Sequence, residues 1–382
     1  MSTQIKKAKI KKGSNSVKPE TVAELLVKAG GRCSFNGCND YLLTDSLTLH
    51  KYNASNVAHI VGKSVDGPRG TSSMTLKDRN KIGNLILVCR KHHALIDNKN
   101  LVKKYPISLL EKYKKEHEAR ILRLTGIAPD RKTKVITFKY KIGQEMVVIN
   151  NEDVYDAIHP FYPTENNLEI DCTVGDIGTT EYYASMAEDI KNKIEQMYQQ
   201  EEIKHTSVLA LAPMPLLIYL GYCLSNKIKT ELYQRHRTVP ETWNWPKKKS
   251  EIFFDFKKIN EGEKNNVALI LSLSGTIKLE DLPVEVQKFN VYIITLKSEL
   301  PAPTFLKSKN TMNNFKEIYQ IAIRTIKEKE NAETIHLFPA MPAPIAVLCG
   351  RELLKKIDPD VMIYDNNKSK GGFYPVLTIK NK

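Results

Sequence analysis

The chain has 382 residues, of which 41% are hydrophobic and 26% are charged, and its formal net charge at pH 7 is +15. This length allows two or three domains, and the composition is that of a soluble globular protein with a hydrophobic core, which excludes a largely disordered chain. Its six cysteines do not indicate a disulfide framework at this length, so we expect a reducing, cytoplasmic setting.

The positive charge is concentrated in the first third of the chain. Residues 1–130 hold 24 Lys and Arg against 11 Asp and Glu, whereas residues 131–382 hold 34 against 32. Part of the excess belongs to a lysine-rich segment, Lys6 to Lys12, which as a solvated tail would need no partner. The remainder is spread through residues expected to fold, and it favours a polyanionic partner, most simply nucleic acid.

The chain is predicted to begin with a basic, flexible segment over residues 1–20, with no apolar stretch typical of a signal peptide. A first domain is predicted over residues 21–125. It opens with a short helix over Thr21–Ala29, for which Thr21 is the expected cap and Gly30-Gly31 the expected stop.

Four soft metal ligands occur in this domain as two short pairs. Cys33 and Cys38 form the first pair, and Cys89 and His92 form the second. Each pair closes a small chelate ring at a turn, and together they supply what a tetrahedral structural zinc ion needs. The other three cysteines lie in apolar segments, where a free thiol acts as a small hydrophobe: Cys172, Cys223 and Cys349.

A second set of polar residues remains, at spacings that a structural zinc does not use. His93 and Asp97 are four residues apart, so on a helix they share one face and can hold a divalent cation such as Mg²⁺ with waters. His59 follows a predicted strand and can take a proton from water as a neutral imidazole. Asn84 begins a buried run and can pin the loop that bears His59 to the metal-bearing helix.

A charged helix over Ile107–Leu124 and a linker over 126–134, with Pro129 in its middle, are predicted to close the first domain. We interpret His117 on that helix as an ordinary packing or surface histidine. The segment Thr206–Asn226 further on has no charged residue, but two prolines favour a buried strand, a turn and a helix over a membrane span.

The second region, 135–382, contains an internal repeat. Residues 186–221 align without a gap on residues 315–350, so that an amphipathic helical face, two prolines and a glycine recur. Each copy is predicted to contain strand, helix, strand and helix, which implies a parallel sheet flanked by helices in each half. The predicted strands are Leu168–Val174, Val208–Leu211, Val291–Leu296 and Ile335–Phe338.

Two such halves imply a ligand site that is nearly twofold. Open α/β sheets bind ligands at the carboxyl ends of their strands, where helix N-termini offer free N–H groups. The turns Ala212–Pro215 and Pro339–Pro342 lie at those ends, and a cyclic dinucleotide has the matching symmetry. The alternative is that the repeat only records gene duplication and the turns are packing elements.

Several residues are candidates for that ligand site, and each has packing in the core or a solvated loop as its alternative. Aromatic rings could stack on the bases of the ligand, and a cationic cluster at Arg235–Arg237 could meet phosphate. The candidate contacts are Pro213, Met214, Trp243, Trp245, Pro339, Ala340, Met341 and Tyr374. His336 is interpreted as a packed histidine.

His59, Asn84 and His93 resemble the three residues that name the HNH endonucleases, over roughly residues 30–100. The resemblance implies a zinc-stapled ββα-metal fold in which His59 is the general base, Asn84 the orienting residue, and His93 and Asp97 the ligands of the catalytic metal. One position departs from the pattern, because many members carry Asp or His directly before the base, where this chain has Ala58. The alternative is a zinc domain that binds nucleic acid without cutting it.

The second region resembles the SAVED domain, a sensor of cyclic oligonucleotides built like two fused CARF-type units. The resemblance rests on the segments 335–365 and 371–379, IHLFPAMPAPIAVLCGRELLKKIDPDVMIYD and GGFYPVLTI. The order nuclease then sensor resembles the HNH–SAVED effectors of bacterial CBASS anti-phage systems. It implies that a cyclic nucleotide drives homo-oligomerisation and degradation of double-stranded DNA, without a membrane.

Two other functions stay open at this point. A restriction-type HNH nuclease could use its C-terminal half to recognise modified DNA, although the near-neutral charge of that half argues against this. A zinc-dependent DNA-binding regulator could sense a ligand and lack catalysis.

Overall fold

The computed structural model describes residues 16–45, 47–142, 145–237, 241–246 and 251–381. The chain divides into two compact units, Met1–Ala128 and Pro129–Lys382. The boundary falls inside the predicted linker, but a strand of the second unit begins at Lys132, so the linker is shorter than predicted. Residues 1–15 of the predicted flexible segment, including Lys6 to Lys12, lie outside the described residues.

The first unit is built from three helices and one two-stranded sheet within its described residues. Its elements are α1 (Pro19–Lys28), β1 (Ser55–His59), β2 (Leu85–Cys89), α2 (Arg90–Ile96) and α3 (Ile107–Thr125). Strand β2 is buried along its whole length and packs with α1, α2 and α3 around one hydrophobic core. This core fixes the two-stranded sheet and α2 relative to each other.

The start of α1 differs from the prediction. Pro19 is the first helical residue and Lys18 precedes it without a side-chain cap, so Thr21 lies inside the helix. A proline is favoured there because its φ angle is already helical and its missing N–H would have no partner in the first turn. The predicted stop is confirmed, since Gly30 and Gly31 take positive φ angles of 61° and 65°.

The second unit contains two halves that share the order strand, strand, helix, strand, helix, strand, each with additional elements. The first half comprises β3 (Lys132–Ile142), β4 (Glu145–Val147), α4 (Asn151–Ile158), β5 (Tyr162–Pro163), β6 (Leu168–Asp171), α5 (Thr180–Gln200), β7 (His205–Leu209), α6 (Met214–Leu224) and β8 (Lys229–Tyr233). The second half comprises β9 (Phe254–Asn260), β10 (Glu263–Ser272), β11 (Phe289–Leu296), α7 (Lys309–Glu330), β12 (Thr334–Ala340), α8 (Ala343–Arg351), β13 (Asp360–Asn367) and β14 (Gly372–Ile379).

Both halves have a parallel sheet with the same strand order. In the first half β3 pairs in parallel with β6 and β7, and β7 pairs with β8. In the second half β10 pairs in parallel with β11 and β12, and β12 pairs with β13. Antiparallel strands β9 and β14 extend the second sheet at its two edges. The predicted duplicated α/β architecture is therefore present, although the strand ends are shifted slightly from the predicted ones.

The internal repeat extends to the helix caps and to the contact between the halves. Thr179 and Ser308, which continue the same ungapped alignment, cap α5 and α7 by accepting a backbone N–H on their side chains. Helices α6 and α8 cross at the aligned glycines Gly221 and Gly350. A Cβ atom on Gly221 would lie 2.0 Å from the Val347 carbonyl oxygen, and one on Gly350 would lie 1.8 Å from the Ile218 oxygen. The two contacts join equivalent residues of the two halves reciprocally, which is the pattern of a local twofold arrangement.

We expect Gly221→Ala and Gly350→Ala each to destabilise the second unit. In an unconstrained helix the change from Gly to Ala would stabilise by about 1 kcal/mol, but here the added methyl group overlaps backbone that cannot rotate away. Overpacking of this kind costs about 1–3 kcal/mol. Urea unfolding measures the effect, and Gly275→Ala is the control, since a Cβ there meets nothing within 4 Å. Equal stability of Gly350→Ala and Gly275→Ala would contradict the close contact.

The apolar segment Thr206–Asn226 forms most of β7, a proline turn and α6, as predicted. Among the residues that the structure describes, no helix is both long and apolar enough to cross a membrane.

Candidate functional site

The four residues predicted to bind zinc come together in the first unit. One donor atom from each of Cys33, Cys38, Cys89 and His92 lies within 4.8 Å of the others. Cys89 ends β2 and His92 lies in the first turn of α2, so a strand-to-helix junction sets the second pair. The Nδ1 atom of His92 is 3.1 Å from Cys89 Sγ and 3.6 Å from Cys33 Sγ.

The surroundings of this Cys/His cluster suit a tetrahedral metal ion such as zinc. Burial raises the pKa of the thiols of Cys33 and Cys38, so without a metal both are protonated, and a bound metal would displace their protons. Burial lowers the pKa of His92, which favours the neutral imidazole that metals bind. The ring of Phe35 stacks on that imidazole with centroids 4.0 Å apart and fixes its orientation.

His93 and Asp97 lie on one side of α2, next to this cluster in sequence. The Nε2 atom of His93 is 3.7 Å from Asp97 Oδ2, and both side chains are about one third exposed (37% and 36%). Within the part of the chain that the structure describes, the Cys/His cluster is the one group of three or more His, Cys, Asp or Glu donors close enough together to hold a metal ion. A cation held by His93 and Asp97 would therefore use water or substrate oxygen for its other positions, as Mg²⁺ sites commonly do.

His59 ends β1, on the strand that pairs antiparallel with β2. Its Nε2 atom is 2.9 Å from the side-chain oxygen of Asn80, a residue that the sequence analysis did not select. Ala58, which directly precedes His59, is fully buried in the core of the unit and lies opposite Ile86.

Asn84 is buried, and its amide holds the loop that follows His59. Its Oδ1 accepts the backbone N–H of Val61 at 2.8 Å, and its Nδ2 donates to the carbonyls of Val61 and Arg79, each at 2.9 Å. The predicted pinning of this loop agrees with the geometry. The predicted attachment of this loop to the helix that bears His93 is wrong, however, because Asn84 joins the loop to the backbone of Arg79.

Arg69 is the second residue that the sequence analysis missed in this unit. Its buried guanidinium donates to carbonyls at the end of β1 and at the end of α2, and it forms an ion pair with Asp97. The arginine stands in a Gly-Pro-Arg-Gly segment, and that turn composition was the available signal.

In the second unit, proline turns stand at the starts of α6 and α8. Pro213 and Pro342 precede the first helical residues, Met214 and Ala343. The first turns of these helices offer fewer free N–H groups than predicted, for two reasons. Pro215 and Pro344 have no N–H, and the N–H groups of Leu216 and Ile345 donate to the carbonyls of Pro213 and Pro342.

The second predicted turn is displaced by two residues. Pro339 and Ala340 belong to β12, and the Ala340 carbonyl accepts N–H groups from Leu273 and Ser274. Met341 is 3% exposed and packs in the core, so the counterpart of Ala212–Pro215 is 341–344. Strand pairing with β10 extends β12 beyond the end that the apolar pattern predicted.

The aromatic candidates for the ligand site differ in their burial and in their contacts. Trp243 is 5% exposed and packs among Val135, Val154 and Tyr233, so its ring is a core ring in this conformation and not a stacking surface. Trp245 is half-buried, and its ring forms a T-shaped pair with the ring of His236, which is buried. Tyr374 remains half-buried, and its hydroxyl donates to the Gly178 carbonyl at 2.5 Å.

A polar cluster joins the two halves near Tyr374, at the carboxyl ends of the parallel strands. The hydroxyl of Tyr183 on α5 donates to Asp365 Oδ2 on β13 at 2.6 Å. The Lys370 ammonium donates to the Gly178 carbonyl at 2.7 Å and lies 4.3 Å from the centre of the Tyr374 ring. Burial raises the pKa of Asp365 above its ordinary value. Tyr183, Asp365 and Lys370 were not among the residues predicted from the sequence, although the basic turn before GGFYP was a signal for Lys370.

Comparison with known families matches residues 186–379 to SAVED, the SMODS-associated and fused to various effectors sensor domain. This match spans just over half of the chain. The chain belongs to the SAVED family. The matched residues lie entirely within the second unit and include most of α5 and all of α6, α7 and α8, which confirms the predicted sensor domain.

Solved structures similar to this SAVED protein are SAVED/CARF-domain containing Cap4 receptors. The receptor of Acinetobacter baumannii with the cyclic trinucleotide 3'3'3'-cAAA is 15% identical, with a TM-score of 0.46 over 73% of this chain and 59% of that chain. The receptor of Moraxella osloensis is 15% identical, with a TM-score of 0.41 over 81% of this chain and 66% of that one. The chain thus spans less than two thirds of these receptors, and family membership rests on the SAVED match. No curated protein matches the chain.

Proposed function

We propose that this SAVED protein is a cyclic-oligonucleotide-activated, metal-dependent DNA endonuclease that acts as a CBASS anti-phage effector. The observation that carries the proposal is the arrangement of His59, Asn84, His93 and Asp97 beside a closed Cys/His cluster, in one chain with a SAVED sensor. The restriction-type alternative loses its basis, because the C-terminal half belongs to a sensor family.

The chemistry proposed for the first unit is hydrolysis of a phosphodiester. The amide oxygen of Asn80 accepts from Nε2–H of His59, which leaves the lone pair on Nδ1 to take a proton from the attacking water. A divalent cation on His93 and Asp97 would stabilise charge on the phosphodiester oxygen. Asn84 keeps the His59 loop in place, and zinc on the Cys/His cluster would hold the start of α2.

The basic charge of the first unit supports DNA as the substrate. Residues 1–130 carry 24 basic against 11 acidic side chains, so phosphate contacts would dominate the affinity. Contacts of this kind position the duplex without selecting a sequence, and we therefore expect weak sequence preference.

The ligand proposed for the second unit is a cyclic dinucleotide or another cyclic oligonucleotide. The twofold contact of α6 and α8, with Pro213, Met214 and Pro342 at their starts, presents two equivalent helix ends. Lys370 and Tyr374 add a cation and an aromatic ring at the carboxyl ends of the strands. The Cap4 receptor of Acinetobacter baumannii was solved with cyclic trinucleotides, so this class belongs among the activators to test.

Activation is proposed to proceed through homo-oligomerisation. A ligand can change the activity of a second site only if it binds one arrangement of domains or subunits more tightly than another. A ligand bound between the SAVED domains of two copies of the chain would favour the assembled form and so increase its population.

The test is to incubate the purified zinc-loaded protein and Mg²⁺ with plasmid and a panel of cyclic di- and trinucleotides. Cleavage that requires one member of the panel, together with an increase in mass by light scattering, supports the proposal. Cleavage governed only by DNA methylation would favour a modified-DNA nuclease. Ligand and DNA binding without cleavage under any condition would favour a regulator.

We expect Lys370→Ala to weaken the activating cyclic oligonucleotide. An ammonium has three donors, so Lys370 can bind a phosphate while it holds Gly178. Loss of a hydrogen bond to a charged group costs about 1.5–3 kcal/mol, or roughly ten- to hundred-fold in Kd. Calorimetry at low and high salt measures the effect, which should shrink as salt rises. Lys368→Ala, two residues away and exposed, is the control, and equal losses in both variants would argue against a specific contact.

A further inference from the structure

We propose that Arg69 is a positioning residue that fixes Asp97 for binding the catalytic metal and holds the strand bearing His59 beside the helix bearing His93. This inference rests on the proposed nuclease function. It concerns a residue outside the HNH and zinc positions.

The guanidinium of Arg69 spans the two elements that carry the site. On the β1 side its Nε donates to the Ile60 carbonyl at 2.7 Å and its Nη2 lies 3.4 Å from the His59 carbonyl. On the α2 side its Nη1 donates to the Ile96 carbonyl at 2.5 Å and its Nη2 to Asp97 Oδ1 at 3.2 Å. One side chain therefore sets the separation of the proposed base from the proposed metal ligands.

The ion pair also determines how Asp97 presents its carboxylate. Arg69 occupies Oδ1, and the other oxygen, Oδ2, is the one that faces His93 at 3.7 Å. Asp97 thus offers a single oxygen toward the metal, as a monodentate ligand. Hydrogen-bonded partners of this kind orient metal ligands and tune their affinity.

Arginine is the side chain that this position requires. The side chain of Arg69 is 3% exposed, so its positive charge must be satisfied by hydrogen-bond acceptors on several sides. A planar guanidinium offers five N–H donors in a fixed fork, whereas lysine offers a single ammonium that cannot reach both elements. Arg69 adopts a positive φ of 53°, a strained conformation for a residue other than glycine. The strain indicates that the surrounding contacts hold the residue firmly in place.

The test compares Arg69→Lys with wild type in the zinc-loaded full-length protein. Lysine keeps the positive charge, so a change reports geometry and not the loss of a charge near the metal. We expect Mn²⁺ affinity, measured by electron paramagnetic resonance without DNA, to fall about 10- to 100-fold. In cleavage assays the Mn²⁺ concentration for half-maximal rate should rise by the same factor, with the Kd for DNA unchanged.

Arg79→Lys is the matched control. Arg79 is the other buried arginine of the same loop, and it donates to the Gly62 and Gly70 carbonyls at 2.6 and 2.8 Å. Arg79→Lys should lower the thermal stability about as much as Arg69→Lys does, without changing the affinity for Mn²⁺. The same fall in Mn²⁺ affinity in both variants would overturn the proposal, since it would report only a loosened loop.

The outcomes also separate this inference from the proposed function. Weaker Mn²⁺ binding in Arg69→Lys, together with no cleavage by wild type under any activator, would support the positioning role and refute the nuclease. Cleavage by wild type with unchanged Mn²⁺ dependence in Arg69→Lys would refute the positioning role and leave the nuclease standing.

Discussion

His59→Ala is expected to abolish DNA cleavage while leaving cyclic-oligonucleotide binding and zinc content intact. A positioned general base contributes about 10²- to 10⁴-fold to the rate, and this histidine is half-buried at the end of β1 with its Nε2 committed to Asn80. The alanine variant should fold, because His59 lies at the margin of the core and not within it. Ligand binding is retained since the SAVED match lies wholly in the other unit.

The measurement is the rate of plasmid linearisation at saturating activator and Mg²⁺, with ligand affinity determined by calorimetry on the same preparation. His50→Ala is the control, an exposed histidine of the same unit. Retention of more than a tenth of the wild-type rate by His59→Ala would contradict its assignment as base. Loss of ligand binding in that variant would show that the two units do not act separately.

Cys33→Ser is expected to unfold the first unit and leave the second unit folded. Structural zinc contributes about 10–16 kcal/mol in small zinc domains, which is comparable to the whole net stability of a folded domain, about 5–15 kcal/mol. Cys33 is fully buried, its sulfur accepts the backbone N–H of Cys89 at 3.3 Å, and it is one of the four clustered donors. Serine supplies a weaker ligand in the same place, so both the metal and the link between α1 and β2 should be lost.

Native mass spectrometry measures bound zinc, and hydrogen exchange by peptide measures each unit. We expect rapid exchange over residues 21–125 and protected amides in the SAVED unit. Cys223→Ser is the control, because Cys223 is a half-buried thiol in the second unit. This variant should keep the zinc of the first unit and the amide protection of both units. Bound zinc and protected amides in Cys33→Ser would contradict a structural role for the cluster.

The sequence was sufficient where the chemistry is local. Cys89 and His92 are close because a strand runs straight into a helix, and His93 meets Asp97 because four residues make about one turn. The internal repeat could also be predicted from the sequence. In the structure the aligned prolines stand at the starts of α6 and α8, and the aligned glycines stand where the two helices cross.

Predictions failed where side chains were judged without their neighbours. Trp243 was a candidate for stacking on a ligand, but aromatic rings serve cores equally well, and the packing around it decides which applies. Pro339 and Ala340 were placed in a turn, whereas pairing with β10 keeps them in a strand. The number of free helix N–H groups was overestimated because the effect of Pro215 and Pro344 on the first turn was not considered.

The sequence by itself determined the Cys/His cluster, the duplicated α/β architecture and the SAVED family. Only the tertiary structure revealed Arg69, Asn80 and the Tyr183–Asp365 contact. The partners of Arg69 are mostly carbonyl oxygens, which every residue carries, so nothing in the sequence marks them. Tyr183 and Asp365 are 182 residues apart and meet because helix α5 of the first half packs on the edge of the second sheet, at β14. Contacts of this kind follow from the packing of whole elements, which local spacing does not encode.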